Sequence, residues 1–204
     1  MSSLLRVGLT GGLASGKSFV GRILAELGCH VLEADKLGHQ VLQPDGPAYQ
    51  PVIVEFGPQI LLPDGRIDRQ QLGAIVFTDP ARLERLNAIV HPLVFNLQEQ
   101  WFAEVARRDP HAIAVVEAAI MIEIGSYRRY EKLIVAFCTE EQQLARAMER
   151  DHATADSVRA RLARQMPLAE KKRFADFLID TFGTQEQTRQ QVMAVHAALQ
   201  KERK

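Results

Sequence analysis

An α/β fold, built on a five-stranded parallel sheet flanked by helices, is predicted by three features of the chain. Short unbroken apolar runs alternate with amphipathic stretches, branched residues crowd the later runs, and a glycine-rich turn joins the first run to the first amphipathic stretch. Leu4, Leu5, Val7 and Leu9 make the first strand, and Phe19, Val20, Ile23, Leu24 and Leu27 follow at helical spacing and stop at Gly28. Residues 30–35 read as a second strand. Residues 113–116 and 133–137 read as strands buried on both faces, residues 177–180 as the last strand, and Val192, Val195 and Leu199 mark a closing amphipathic helix.

The turn itself carries chemistry. Gly11, Gly12, Leu13, Ala14, Ser15, Gly16, Lys17 and Ser18 fit the pattern G-x-x-x-x-G-K-[ST], here between a strand and a helix as that pattern requires. A chance match in a chain of this length has a probability on the order of 1 in 100. Such a loop turns successive backbone N–H groups onto phosphate oxygens while the following helix points its positive end at the same place. Lys17 is placed to reach the β- and γ-phosphates and Ser18 to hold Mg²⁺, so the sheet is of the P-loop NTPase type and the cofactor is a nucleoside triphosphate with its metal.

Between residues 42 and 111 the strand–helix alternation stops. Pro44, Gly46, Pro47 and Pro51 punctuate an expected loop, Pro63-Asp64-Gly65-Arg66 a turn, and helices are predicted over 69–77 and from Pro80 onward. Leu83, Leu86, Val90, Leu93, Leu97 and Trp101 share one helix face, with a bend expected at His91-Pro92 and Trp101 read as core. A second helical stretch, 139–173, is densely charged and holds Arg146, Arg150, Arg159, Arg161 and Arg164. Arg146 and Arg150 share a face. They are either solvated and paired with Glu149 and Asp151, or the arginines of a mobile lid that meets the transferring phosphoryl group, which is the sharper reading beside a phosphate loop. The expected organisation is one domain, 1–204: a core of 1–41, 111–138 and 174–204, an inserted helical lobe of 42–110 and a helical lid of 139–173.

Composition narrows the partners. The formal net charge is zero and 47% of residues are hydrophobic, which gives a sizeable core and argues against a broad grip on nucleic acid or an anionic membrane. Cys29 and Cys138 have no metal or redox spacing and read as buried reduced thiols of a cytoplasmic protein. No leader and no run of eighteen apolar residues is expected to route the chain into or across a membrane. Asp35, at the expected carboxyl end of the second strand, lies where open α/β sheets bind ligands; it reads equally as the N-cap of a helix starting at Lys36.

These residues resemble one family, dephospho-CoA kinase. The resemblance runs through Leu9-Thr10-Gly11-Gly12 to Ser18, then Asp64-Gly65-Arg66-Ile67-Asp68-Arg69 with Leu72, Val76 and Phe77, then residues 86–92, and then Arg146, Arg150, Arg161, Gln165, Ala175-Asp176 and Asp180. It implies that ATP with Mg²⁺ phosphorylates the ribose 3′-hydroxyl of dephospho-CoA, that Asp35 is the catalytic acid–base group, and that Lys17, Arg146 and Arg150 assist. Gly11 to Phe19 would hold the nucleotide, Thr10, Asp35 and His91 the acceptor, which would enter between the sheet and the helical CoA-binding lobe, and Ser18 the metal. The chain departs from the family pattern at Glu33, at Phe19, at Thr181 in place of an Asn, and after Glu117, where a proline is missing before Glu123. From context alone His91, next to Pro92, reads as a turn or helix-end residue. A GTPase switch would carry Asn-Lys-x-Asp, and neither Asn87 nor Asn96 precedes a lysine. The sequence leaves the oligomeric state open.

Overall fold

Glycines directly behind an apolar strand set the first unit: β1 (Leu5–Gly11) ends in the loop and α1 (Lys17–Glu26) starts behind it. Next come β2 (His30–Glu33), α2 (Ala34–Val41), α3 (Tyr49–Phe56), α4 (Arg69–Thr78) and the long α5 (Pro80–Arg108). β3 (Ile113–Glu117), β4 (Lys132–Phe137), α6 (Glu140–Asp151), α7 (Ala155–Leu162), the single-turn α8 (Leu168–Lys171), β5 (Phe177–Asp180) and α9 (Gln185–Glu202) complete the order. The computed structural model describes residues 4–202, so 1–3 and 203–204 of the expected core lie outside the described residues. Two compact units divide the chain, 34–103 and the rest.

The sheet unit has five parallel strands in the order β2-β3-β1-β4-β5, with β1 central. On one face, Val7, Leu9, Ile134, Ala136 and Ile179 pack against Val20, Ile23 and Leu24 of α1 and Val192 and Leu199 of α9, all fully buried. Each of the Val, Leu and Ile side chains contributes about 1.5–3 kcal/mol relative to exposure. α1 ends where expected. Gly28 adopts φ +93°, donates its N–H to Ala25 O at 3.0 Å, and lets Cys29 N–H reach Leu24 O at 2.9 Å, a Schellman closure that needs the left-handed residue. α6 starts in a capping box of Thr139 and Gln142, and α7 is capped by Thr154. Cys29 and Cys138 are both buried, with no disulfide between them.

In the helical unit, Val41, Val52, Phe56, Ile60, Leu72, Val76 and Val94 form a separate core, and the face of α5 anticipated from spacing, Leu83, Leu86, Val90, Leu93 and Leu97, packs onto it. Asp68 caps α4 by accepting from the N–H groups of Gln70 and Gln71.

Several expectations need correction. The second strand stops at Glu33, and Asp35 lies inside the first turn of α2, neither strand-terminal nor an N-cap. Residues 49–56, expected as loop, are α3; Pro51 sits in its first turn, where a backbone N–H has no helical partner to lose. Helix α5 runs through His91 and Pro92, so His91 is interior to a helix and not at its end. Trp101 is half-buried against the ring of Phe102 at 5.1 Å between centroids, and Phe102, at 2% exposure, is the true core residue.

Candidate active site

The phosphate loop is shaped by two left-handed residues, Ala14 at φ 52° and Gly16 at φ +85°. Left-handed steps converge neighbouring N–H groups into an anion-binding concavity, and Ala14 pays for its conformation with roughly 1–3 kcal/mol of strain, a cost that clusters at ligand sites. Lys17 curls back so that Nζ donates to Gly12 O at 3.3 Å. Ser15 is fully buried and its carbonyl accepts from the Thr181 hydroxyl at 2.9 Å; among the described residues its own hydroxyl has no partner. A Cβ at Gly16 would lie 2.9 Å from Thr181 Cγ2 and 3.0 Å from Thr181 Oγ1, on top of its left-handed φ. Gly16→Ala is therefore expected to lower ATP affinity at least tenfold and stability by roughly 1–2 kcal/mol; isothermal titration with ADP and thermal unfolding check both.

Beside the loop, Ser18 Oγ donates to Glu117 Oε1 at 2.7 Å. Glu117 ends β3, is 8% exposed, and pairs in register with Leu9 of β1 and Glu33 of β2. A hydroxyl in the first turn of α1 beside a carboxylate at the end of β3 fits Mg²⁺, which takes one or two protein oxygens together with phosphate oxygens and water.

Leu13 plugs the loop into the helices behind β4. Its side chain packs against Ala147 of α6 and Val158 of α7, its carbonyl accepts from Gln143 Nε2 at 2.6 Å, and its N–H donates to Gln165 Oε1 at 2.8 Å. A cavity of about 860 Å³ adjoins this junction, lined by Gly12, Phe137, Gln143, Arg159, Leu168 and Lys172 among others. Arg146 donates from Nη2 to Thr181 O at 2.7 Å and from Nη1 to Thr181 Oγ1 at 3.2 Å, so through Thr181 it bears on Ser15 of the loop. The threonine that departs from the family pattern is thus a tie between loop, β5 and α6. Arg150 is held by Asp151 at 2.7 Å, and Arg161 shares the same carboxylate at 2.5 Å. Hydrogen bonds from Arg150 first, then Arg161, hold the Asp151 carboxyl well below the usual carboxylate range. Thr10 is fully buried and donates its hydroxyl to Ala119 O at 3.3 Å.

In the helical unit Asp35 is exposed. His39, one turn on, is lowered in basicity by burial and by Arg69, against an opposing pull from Asp35. Arg66 and Arg69, quoted above for the family resemblance, line a small cavity of about 110 Å³ together with His39, which sequence reasoning did not single out. His91 is half-buried with its ring 5.9 Å from that of Phe95, and burial lowers its basicity.

Sequence reasoning does not rank Glu33, Glu117 and Glu123; the structure separates the last two. Glu117 meets Ser18, whereas Glu123 pairs with Lys171 at 2.8 Å. The available signal was an acid at the end of an apolar strand.

A family model for dephospho-CoA kinase matches residues 5–187. The chain belongs to the dephospho-CoA kinase family. A dephospho-CoA kinase of Geobacter metallireducens is 44% identical over 192 residues, covering 94% of this chain and 95% of the relative. The solved dephospho-CoA kinase of Campylobacter jejuni superposes with a TM-score of 0.70 at 27% identity, covering 96% of this chain and 97% of that one. A solved protein of Thermus thermophilus superposes with a TM-score of 0.83 at 30% identity, covering 96% and 98%. The five-stranded parallel sheet flanked by helices is therefore the fold of a kinase family. Among the described residues no helix is long and apolar enough to cross a membrane.

Proposed function

We propose that this chain transfers the γ-phosphoryl group of ATP to the ribose 3′-hydroxyl of dephospho-CoA, giving coenzyme A and ADP, the final step of coenzyme A biosynthesis. The observation that carries the reading is the family match over residues 5–187 on a chain whose phosphate loop is intact. The N–H groups from Gly11 to Phe19 and the Lys17 ammonium bind the triphosphate. Asp35 accepts the proton of the 3′-hydroxyl as that oxygen attacks the γ-phosphorus; the bond to the bridging oxygen breaks and ADP leaves. An exposed carboxylate suits this step, because the proton is lost late in a loose transition state and orientation matters more than basicity.

Arg146, already turned toward the loop through Thr181, and Arg150 neutralise the moving group. For Arg150 this means exchanging Asp151 for a phosphate oxygen, the motion expected of the segment 139–173 acting as a lid. Thr10 and His91 are assigned to acceptor binding, and the guanidinium groups of Arg66 and Arg69, beside His39, suit the diphosphate of the acceptor. Ser18, with Glu117 beside it, would hold Mg²⁺, which when bound would supply positive charge against the triphosphate. No nucleic acid or membrane partner is part of the proposal, and the cytoplasm, where ATP is the ready donor, is its setting.

Offering purified protein dephospho-CoA, AMP, shikimate and gluconate with ATP tests the substrate. Phosphorylation of dephospho-CoA alone is expected; a faster rate on any other acceptor overturns the assignment. Glu117→Gln is expected to raise the Mg²⁺ concentration for half-maximal rate about tenfold, since the carboxylate that orients the Ser18 hydroxyl loses its charge. A Mg²⁺ titration of the rate at saturating substrates reads this directly.

A further inference from the structure

Lys171 is the one charged side chain among the described residues with zero exposure that the catalytic reading leaves unused. Its Nζ lies 2.8 Å from Glu123 Oε1 and donates to Ala119 O at 2.7 Å. Burial pulls the ammonium below its usual pKa and Glu123 opposes that pull. Glu123 Oε1 also accepts from Met166 N–H at 3.0 Å, while Oε2 is buried with no partner. Such a pair is a poor device for stability. Desolvating both charges offsets most of their attraction, and apolar residues of similar volume commonly fill such a position at no loss. Leaving one carboxylate oxygen unsatisfied adds a further cost.

What the pair does is fix position. Met166 follows Gln165, and Gln165 is the residue that receives the Leu13 N–H of the phosphate loop. Ala119 O receives the Thr10 hydroxyl as well as Lys171, one residue before the loop begins. Met166, in the linker between α7 and α8, and Lys171, the last residue of α8, are thereby both fastened to the segment that follows β3, and Gln165, directly before Met166, meets the loop with its carboxamide. We propose that Lys171 and Glu123 are positioning residues that act through Gln165 on the Leu13 amide, holding the phosphate loop in its nucleotide-binding shape. The inference rests on residues 11–18 being the nucleotide loop, as proposed above, and does not depend on which acceptor is phosphorylated.

The test uses the full-length chain with the pair replaced by apolar residues, Lys171→Met with Glu123→Leu, alone and combined with Gln165→Ala. Thermal unfolding, ADP affinity by calorimetry, and exchange of the ¹⁵N-labelled Leu13 amide are measured on each. The expected result is stability close to the unaltered chain, ADP affinity about tenfold weaker and Leu13 exchange at least about tenfold faster, with less than about twofold further loss when Gln165→Ala is added. Unchanged ADP affinity and Leu13 exchange in the apolar double variant overturn the proposal, as do effects that multiply with those of Gln165→Ala. If the double variant does not fold, Glu123→Gln decides in the same way, because it keeps the acceptor oxygen and volume while removing the charge that holds Lys171. ADP binding needs no acceptor, so failure to phosphorylate dephospho-CoA would remove the substrate assignment and leave this outcome readable.

Discussion

Asp35→Asn is expected to lower turnover on dephospho-CoA by about a hundredfold or more, with ADP affinity within about twofold of the unaltered chain. Asparagine keeps the size of aspartate and one acceptor oxygen, so the acceptor hydroxyl can still be oriented; what it removes is the site for the proton. The residue lies in the first turn of α2, exposed, at a helix end whose dipole favours a negative charge. Since Asp35 caps no helix, the substitution costs at most roughly 1 kcal/mol of stability through the lost dipole interaction, too little to account for a hundredfold fall in rate. Steady-state kinetics with calorimetry on ADP separate the two effects. Turnover within about threefold of the unaltered chain would strip Asp35 of the acid–base role.

Lys17→Ala is expected to reduce kcat/KM for ATP by about a hundredfold or more, which corresponds to about 2.7 kcal/mol of lost transition-state stabilisation. The ammonium group is folded back on Gly12 O, and the proposed role has it turn to a phosphate oxygen when nucleotide binds. Removing it leaves the backbone N–H groups in place, because the shape of the loop is set by Ala14, Gly16 and the ties at Leu13 and Ser15. The loss should therefore fall on both nucleotide affinity and kcat while the melting temperature stays nearly constant. A fall in melting temperature large enough to unfold the protein under assay conditions would mean that Lys17 is structural.

The sheet was legible because its signals are local. Apolar runs long enough for one strand each, bounded by polar segments, place β3, β4 and β5, and a glycine able to adopt positive φ marks the end of α1 at Gly28. The phosphate loop was legible for the same reason, since its glycines, lysine and serine lie within eight consecutive positions, Gly11 to Ser18. Boundaries without a breaker were not legible: nothing between Glu33 and Asp35 announces that the strand has become a helix, and Pro51 hides α3 because proline in a first turn looks like proline in a loop.

The supports of the site were illegible for a different reason. Leu13 and Gln165 are 152 positions apart and Ser18 and Glu117 are 99 apart, so only the sheet register and the packing of α6 and α7 bring them together. Thr181 shows the same limit from the other side. As a departure from a family pattern it carried no role, yet in the fold its hydroxyl joins Ser15 to Arg146.

The central claim is that one aspartate faces the sugar hydroxyl of the acceptor while the loop clasps the triphosphate. A crystal structure of the protein with dephospho-CoA and a non-hydrolysable ATP analogue tests it most directly. The account predicts an Asp35 carboxylate oxygen within about 3.2 Å of the ribose 3′-oxygen and the analogue's phosphates on the N–H groups of Gly11 to Phe19. An Asp35 carboxylate beyond about 5 Å from that oxygen, with no water between them, or an acceptor presenting a different hydroxyl to the γ-phosphate, would contradict it.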